Sequence, residues 1–365
     1  MIPLIDLRAQ YLELKHEIMK VTEQVFDSGV YISGPEVQAF EKEMEEFTDA
    51  RHAVSTANGT DALVLALEAC GIGVGDEVIT TPYTFFATAE AISRVGATPV
   101  FADIDPRTYN LCPKETEKKI TIKTKAIIPV HIFGQPADMD AFHELAHNYN
   151  LHIIEDACQA LGARYKGKPV GALGTVGCVS FFPTKNLGAY GDGGMVITND
   201  DSIADKVRLL SLHGSNRRYY HDIIGYNSRL DSLQAAILRV KLRKLQEWNT
   251  LRQQKAAYYV QHLKGVVGLP FISPEVSHVF HLFIVESSKR MQLASRLKQV
   301  GISTGHYYPC PLHLQNAFAS LGYKPGDLPV SETLCERALA LPMHAHLTMK
   351  DQTYIVEKVF EIAKP

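Results

Sequence analysis

The chain has 365 residues, with 37 Lys and Arg against 40 Asp and Glu and a formal net charge of -3 at pH 7. That near balance, without a basic block, argues against a nucleic-acid partner. No apolar run of about 18 residues offers a membrane span, and the length exceeds what one core usually fills, so a large domain and a smaller one are expected.

Six cysteines, at 70, 112, 158, 178, 310 and 335, form no CxxC pair. The opening MIPLIDLRAQ has neither a basic n-region nor an apolar h-region, so reduced thiols in a cytosol are the expectation. Tyr11, Leu14, Ile18, Val21 and Val25 recur at three- and four-residue steps and predict one amphipathic helix, and Val37, Phe40, Met44 and Phe47 predict a second. After Ala53-Val54-Ser55, the run Asn58-Gly59-Thr60-Asp61 opens a helix over 62–70. It reads either as an anion site, where free amides and the helix dipole favour a phosphate, or as a plain glycine turn with an N-cap threonine.

Strands and helices then alternate. Strands are predicted over 77–80, 99–103, 126–132 and 151–156, and helices over 86–95, near Glu115 and over 139–149. This is the pattern of a doubly wound, mostly parallel sheet. Phe85 follows the second strand, where a ring could stack on a flat heterocycle or simply pack in the core. Within the helix over 139–149, His143-Glu144-Leu145-Ala146-His147 matches the zinc-protease pattern HExxH. No third ligand stands at zincin spacing, because Asn150 and Ile153 occupy the metzincin glycine and histidine positions, so a solvated helix face and no metal are expected. Gly71-Ile72-Gly73-Val74-Gly75-Asp76 lacks the third glycine of a dinucleotide fingerprint and precedes a strand.

The strand over 151–156 ends in Glu155-Asp156, and ligands of open α/β sheets bind at strand carboxyl ends, so Asp156 is expected to face a crevice. Two further apolar strands, over 178–182 and 195–198, flank a loop with one lysine, Lys185. Gly177, Gly188, Gly191, Gly193 and Gly194 around it suggest close approach of backbone to a ligand. A lysine for a Schiff base and an aspartate for a pyridinium nitrogen are what pyridoxal phosphate chemistry requires. Farther on, a helix over 203–212 precedes the polar stretch 213–222 and Gly225-Tyr226-Asn227-Ser228-Arg229. Leu230, Leu233, Ile237, Val240 and Leu245 then mark a long helix that would bridge to the second domain. The boundary is set near Glu247, giving a large domain over 1–247 and a small α+β domain over 248–365. The latter is predicted to hold a strand over 279–285 and helices over 291–300 and 350–362.

Ordered motifs run nearly end to end: SGVYISG at 28–34, NGTDALVLAL at 58–67, GDEVITTPYTFFATAEAI at 75–92, IIPVHIFGQPADMD at 127–140, EDACQALGA at 155–163, SFFPTKNLGAYGDGG at 180–194, GYNSRLDSLQAA at 225–236 and YYPCPLHLQ at 307–315. In these the chain resembles the nucleotide-sugar aminotransferases of the DegT/StrS type. The resemblance implies aminotransferase fold type I, a mostly parallel central sheet flanked by helices with a smaller C-terminal α+β domain. The implied cofactor is pyridoxal 5'-phosphate, with pyridoxamine phosphate as its intermediate form.

Residue by residue, the resemblance makes Lys185 the catalytic lysine, puts Asp156 on the pyridine nitrogen, stacks Phe85 on the ring and sets Gln159 against it. It places Gly59, Thr60, Ser180 and Asn227 on the phosphate, Asn227 reaching into the neighbouring subunit of a homodimer with shared sites. The N-terminal helices are implied to pack at that subunit interface. Implied substrate contacts are Arg229, His306, Tyr307, Tyr308 and His313, although many relatives have histidine where Tyr307 stands. The implied activity is transfer of an amino group from L-glutamate to a keto group of a nucleotide-linked sugar, for surface polysaccharide or glycoconjugate synthesis. The segment 219–230 is similar to the 3-aminotransferase branch, which points to a 3-oxo sugar. A 4-oxo sugar, a sugar dehydratase, a pyridoxal-binding regulator and a non-enzymatic scaffold stay open as alternatives. The dehydratase branch has histidine in place of the lysine.

Overall fold

The computed structural model describes residues 1–363. Two N-terminal helices, α1 (Leu7–Ser28) and α2 (Pro35–Thr48), precede β1 (His52–Thr56) and α3 (Gly59–Ala69). Then follow β2 (Glu77–Thr80), α4 (Ala87–Arg94), β3 (Thr98–Phe101), α5 (Pro113–Glu117), β4 (Thr124–Ile128), α6 (Met139–Tyr149) and β5 (His152–Asp156). β6 (Val176–Ser180) and β7 (Gly194–Thr198) flank the lysine loop, and α7 (Asp201–Ser211) leads towards the 32-residue α8 (Ser232–Leu263). The C-terminal part holds β8 (Phe283–Glu286), α9 (Arg290–Gln299), α10 (Pro329–Arg337), β9 (Ala338–Leu341) and α11 (Met349–Ala363).

The main sheet has seven strands in the order β1-β7-β6-β5-β4-β2-β3. β3, β2, β4, β5 and β6 are mutually parallel, and β7 is antiparallel to both neighbours. All strands but β7 therefore run one way, and the carboxyl ends of β2, β4 and β5 open on one edge. Such strands are buried on both faces and read as continuous apolar runs, which is why Val78, Ile79, Ala126, Ile127, Ile128, Ile153 and Ile154 all sit at or near zero exposure. One layer packs α3 and α7 on the sheet, and on the other side α2, α8 and the loop after β5 close a second core.

α8 joins both parts of the molecule. Its Ala235, Leu238 and Leu245 belong to the core of the large sheet, and its Ala256, Tyr259 and Leu263 to the core with β8, β9, α9 and α11. Glu247 lies inside this helix, between the two sets. The predicted strand over 279–285 is shorter than expected: Phe280 has φ +45°, outside strand geometry, so pairing with β9 begins only at Phe283. On α6, Phe142 and Leu145 are buried while His143, Glu144 and His147 are exposed.

Candidate active site

The site is a cavity of about 640 Å³ at the carboxyl ends of the parallel strands. Its wall includes Gly59, Thr60, Phe85, Asp156, Gln159, Ser180 and Lys185, brought together from four separate stretches of chain, together with Tyr307 and Tyr308 from the C-terminal part.

β5 delivers two carboxylates to opposite faces, because successive strand residues alternate. Asp156 faces the cavity, where its Oδ2 accepts from Thr88 Oγ1 at 2.8 Å and its Oδ1 from the Cys158 N–H at 3.2 Å. Glu155 turns the other way and is fully buried. It accepts N–H bonds from Gly171 at 2.8 Å, Leu173 at 2.7 Å and Gly174 at 2.6 Å, and one from His131 Nε2 at 2.9 Å. His131 Nδ1 accepts from the Ala137 N–H, so the ring presents Nε2–H to the carboxylate. Burial acts to raise the Glu155 carboxyl, but the His131 bond and these amides outweigh it and hold the group below its ordinary range. Of the two carboxylates, one is fixed in the framework and one is left for the site.

Lys185 lies on the loop between β6 and β7 and its side chain reaches the same cavity. Loss of hydration lowers its ammonium below the ordinary lysine value, while Cys158 and Asp156 pull it back up. Burial thus makes the amine easier to deprotonate than an ordinary lysine, and the neutral form is the one that can act as nucleophile and base. The loop glycines do not serve the expected ligand approach. A Cβ on Gly177 would stand 2.1 Å from the Gly171 carbonyl oxygen, on Gly188 2.2 Å from that of Pro183 and on Gly194 2.2 Å from that of Asn58. These positions let backbone pack on backbone, and Gly193 and Gly191 meet Leu230 and Gln234.

The glycine that borders the cavity is Gly59. A Cβ there would stand 2.6 Å from Ser180 Cβ and 3.2 Å from Cys158 Sγ. It opens α3, whose cap Asn58 accepts from the Asp61 N–H at 2.8 Å through its side chain. Gly59 and Thr60 therefore present first-turn amides that no preceding helical carbonyl can reach, beside Ser180. A phosphate fits such a place, since amides and helix dipole both favour an anion.

Gln159 is pinned at both ends: its Oε1 accepts from the Phe133 N–H at 2.9 Å, and its Nε2 donates to Tyr308 Oη at 3.1 Å. Tyr83 and Phe133 pack edge-on behind Tyr308 and make that wall rigid. Phe85 is on the wall and 57% exposed, so its ring is available to stack.

The other expected residues lie off this wall. Asn227 is exposed and bridges to Leu212 across the chain. Arg229 is half-buried away from the cavity. His306 donates through Nε2 to the Cys335 carbonyl at 2.7 Å, and the buried His313 donates to Glu332 at 3.1 Å. One chain thus does not bring Arg229, His306, His313 or Asn227 to its own cavity. Sequence reasoning missed Thr88, the partner of Asp156, and His281, a buried wall residue whose Nδ1 has no partner. Thr88 follows Phe85 by one helical turn, a spacing that carried the signal, whereas His281 follows the turn at Phe280 and nothing local marks it.

Comparisons with known proteins identify the family and the fold. The profile of the DegT/DnrJ/EryC1/StrS aminotransferase family matches residues 12–360. The chain is 52% identical over 364 residues to a protein of Geobacillus stearothermophilus named pleiotropic regulatory protein, covering 99% of this chain and 98% of that one. It is 47% identical over 348 residues to UDP-2-acetamido-2-deoxy-3-oxo-D-glucuronate aminotransferase of Pseudomonas aeruginosa, covering 95% and 96%. The crystal structure of S. venezuelae DesV in complex with a ketimine intermediate superposes with a TM-score of 0.98 at 44% identity, covering 100% of this chain and 99% of that one.

Proposed function

Since the chain belongs to the DegT/DnrJ/EryC1/StrS aminotransferase family, we propose that it moves an amino group from L-glutamate to the C3 ketone of a nucleotide-linked 3-oxo sugar, in the cytosol and as a two-fold dimer. It is a pyridoxal phosphate-dependent nucleotide-sugar aminotransferase. The C3 position is supported by the name of the Pseudomonas relative and by the segment 219–230. The observation that carries the reading is the meeting, in one cavity, of Lys185, the Asp156 carboxylate and the amide-lined corner at Gly59 and Thr60.

These residues fit the cofactor. The cavity has an anion corner, a carboxylate at the strand end and an amine of lowered basicity, and the exposed Phe85 ring offers a flat face. When bound, pyridoxal phosphate supplies an electron-withdrawing ring and a carbonyl carbon that carries the amino group between substrates. Gly59, Thr60 and Ser180 would hold its phosphate, and Asp156, steadied by Thr88, would keep a proton on its ring nitrogen. Gln159 is held by bonds at both ends of its amide and would stand against the ring. Lys185 takes the α-proton of the amino donor in the first half-reaction and delivers a proton to the sugar carbon in the second. Asn227, absent from its own cavity, would reach the phosphate of the partner's site.

Incubation with UDP-, TDP- and GDP-linked 3-oxo and 4-oxo sugars plus L-glutamate, with the new amine located by NMR, tests the assignment. A C3 amine is expected, and a C4 amine would overturn the regiochemistry. A second reading, a pyridoxal-binding regulator without turnover, is favoured by the name of the Geobacillus relative alone. Turnover in the same assay would set it aside.

A further inference from the structure

Beside Lys185 lies a second, smaller cavity of about 10 Å³, the size at which a cavity holds one water. Lys185 and Thr184 line both this chamber and the main cavity, so the lysine stem forms part of the partition. Among the described residues, eight buried side-chain polar atoms have no hydrogen-bond partner. Four of them belong to residues of this chamber wall: Gln10 Oε1, Asn186 Oδ1 and both ring nitrogens of His344. Buried polar atoms are nearly always paired, so a concentration of this kind calls for a shared partner.

The chemistry of the wall selects that partner. Asn186 is oriented by its own amide, which donates to Asn249 Oδ1 at 2.8 Å and to the Val279 carbonyl at 3.0 Å, so its oxygen is left as an unpaired acceptor on a wall residue. Gln10 adds a second acceptor. Arg252 adds a buried cation whose Nη1 is spent on the carbonyls of Phe280 and Met343 at 3.1 and 2.9 Å, without a carboxylate. A metal cation is opposed by Arg252, and an anion by the two amide oxygens. Water donates and accepts, and satisfies both.

We propose that this chamber holds one bound water and that the water and His344 carry protons between Lys185 Nζ and solvent, so that the ammonium can return to the neutral amine while substrate fills the main cavity. The proposal rests on Lys185 being the reactive lysine. In the step, the Lys185 ammonium gives a proton to the water, the water gives one to a ring nitrogen of His344, and the opposite ring nitrogen releases one outward. One proton moves, and only N–H and O–H bonds change. The outward end is short. His346 lines the same chamber, and its Nε2 pairs with Glu13 Oε2 at 2.6 Å, at the partly exposed edge of α1. The groups facing His344 are Arg252, Asp6, His346 and Lys255. Burial first, and then Arg252, hold its imidazole down at about 4, so the ring passes a proton on without trapping it.

Three measurements test this with the loaded enzyme and L-glutamate. His344→Leu should form the same lysine-bound visible band as wild type, since nothing in the main cavity changes. Its kcat should fall about tenfold at near-constant KM, and the solvent deuterium isotope effect on kcat should rise. His344→Ala should behave alike and recover with added imidazole. Should either variant fold poorly, Gln10→Leu removes one ligand of the water from α1, a separate element, and should show the same split. A high-resolution crystal structure should show the water within hydrogen-bond distance of Asn186 Oδ1. A dry chamber, or variants with wild-type kcat and isotope effect, would overturn the route. Failure of the wild type to form the band at all would instead remove Lys185 as the reactive lysine, and the route with it.

Discussion

Lys185 and Asp156 share one cavity but different supports, and each makes a separate prediction. Lys185→Ala should still bind pyridoxal phosphate through the Gly59 and Thr60 corner yet lose essentially all transamination, since no other lysine among the described residues borders the cavity. Wild-type turnover in that variant would remove Lys185 from the mechanism. Asp156→Asn should keep the fold and lose at least about two decades in rate, because a neutral amide cannot hold the ring-nitrogen proton. A near-normal rate would make Asp156 structural. Its neighbour Glu155 predicts a pH effect. Its folded pKa lies below the unfolded value, which is about 4.3, so its stabilisation is present above that pH and is lost as pH falls through the folded value. The stability gap between wild type and Glu155→Gln, from urea melts at several pH values, should therefore narrow below about pH 4. A gap independent of pH would contradict the assignment. Strand alternation distinguishes these two carboxylates: the strand-end position pointed Asp156 to the crevice, whereas the framework role of Glu155 depends on loop amides distant in sequence.

Among elements, the parallel strands were legible because burial on both faces demands unbroken apolar runs, and β2 and α6 match their predicted limits residue for residue. The strand before β9 was overextended, because apolar residues continue through Phe280 while the backbone turns there. The glycines after β6 were legible as constraints but not as to which partner imposes them. Gly194 faces the carbonyl of Asn58, the residue that caps α3. Gly194→Ala should therefore push the start of α3 away from Ser180. A loss of about 1–3 kcal/mol in stability is expected from such overpacking, with weaker cofactor binding, and calorimetry together with a cofactor titration would reveal both. Unchanged cofactor affinity would show that the anion corner does not depend on this contact.

For the whole molecule, a large and a small part were expected to meet near Glu247 on a bridging helix; Glu247 lies inside the continuous α8, whose two ends pack in different cores. Asn227 raises a matter of assembly, because it shares the motif set of the phosphate corner yet lies exposed outside its own cavity. If it serves the partner's site, mixing Lys185→Ala with Asn227→Ala protein yields heterodimers with one intact site of two. Random exchange makes about half the dimers mixed, so roughly a quarter of wild-type activity should return. With exchange verified by a tag, a mixture no more active than its parents would confine Asn227 to its own chain. The central claim, an amino group passed through Lys185's cavity from an amino acid to a sugar ketone, is tested most directly by following the visible absorbance of the pyridoxal phosphate-loaded protein. L-Glutamate should bleach the band, and a nucleotide-linked 3-oxo sugar added after the glutamate is removed should restore it. A band indifferent to L-glutamate, or one that no nucleotide-linked keto sugar restores, would contradict the account.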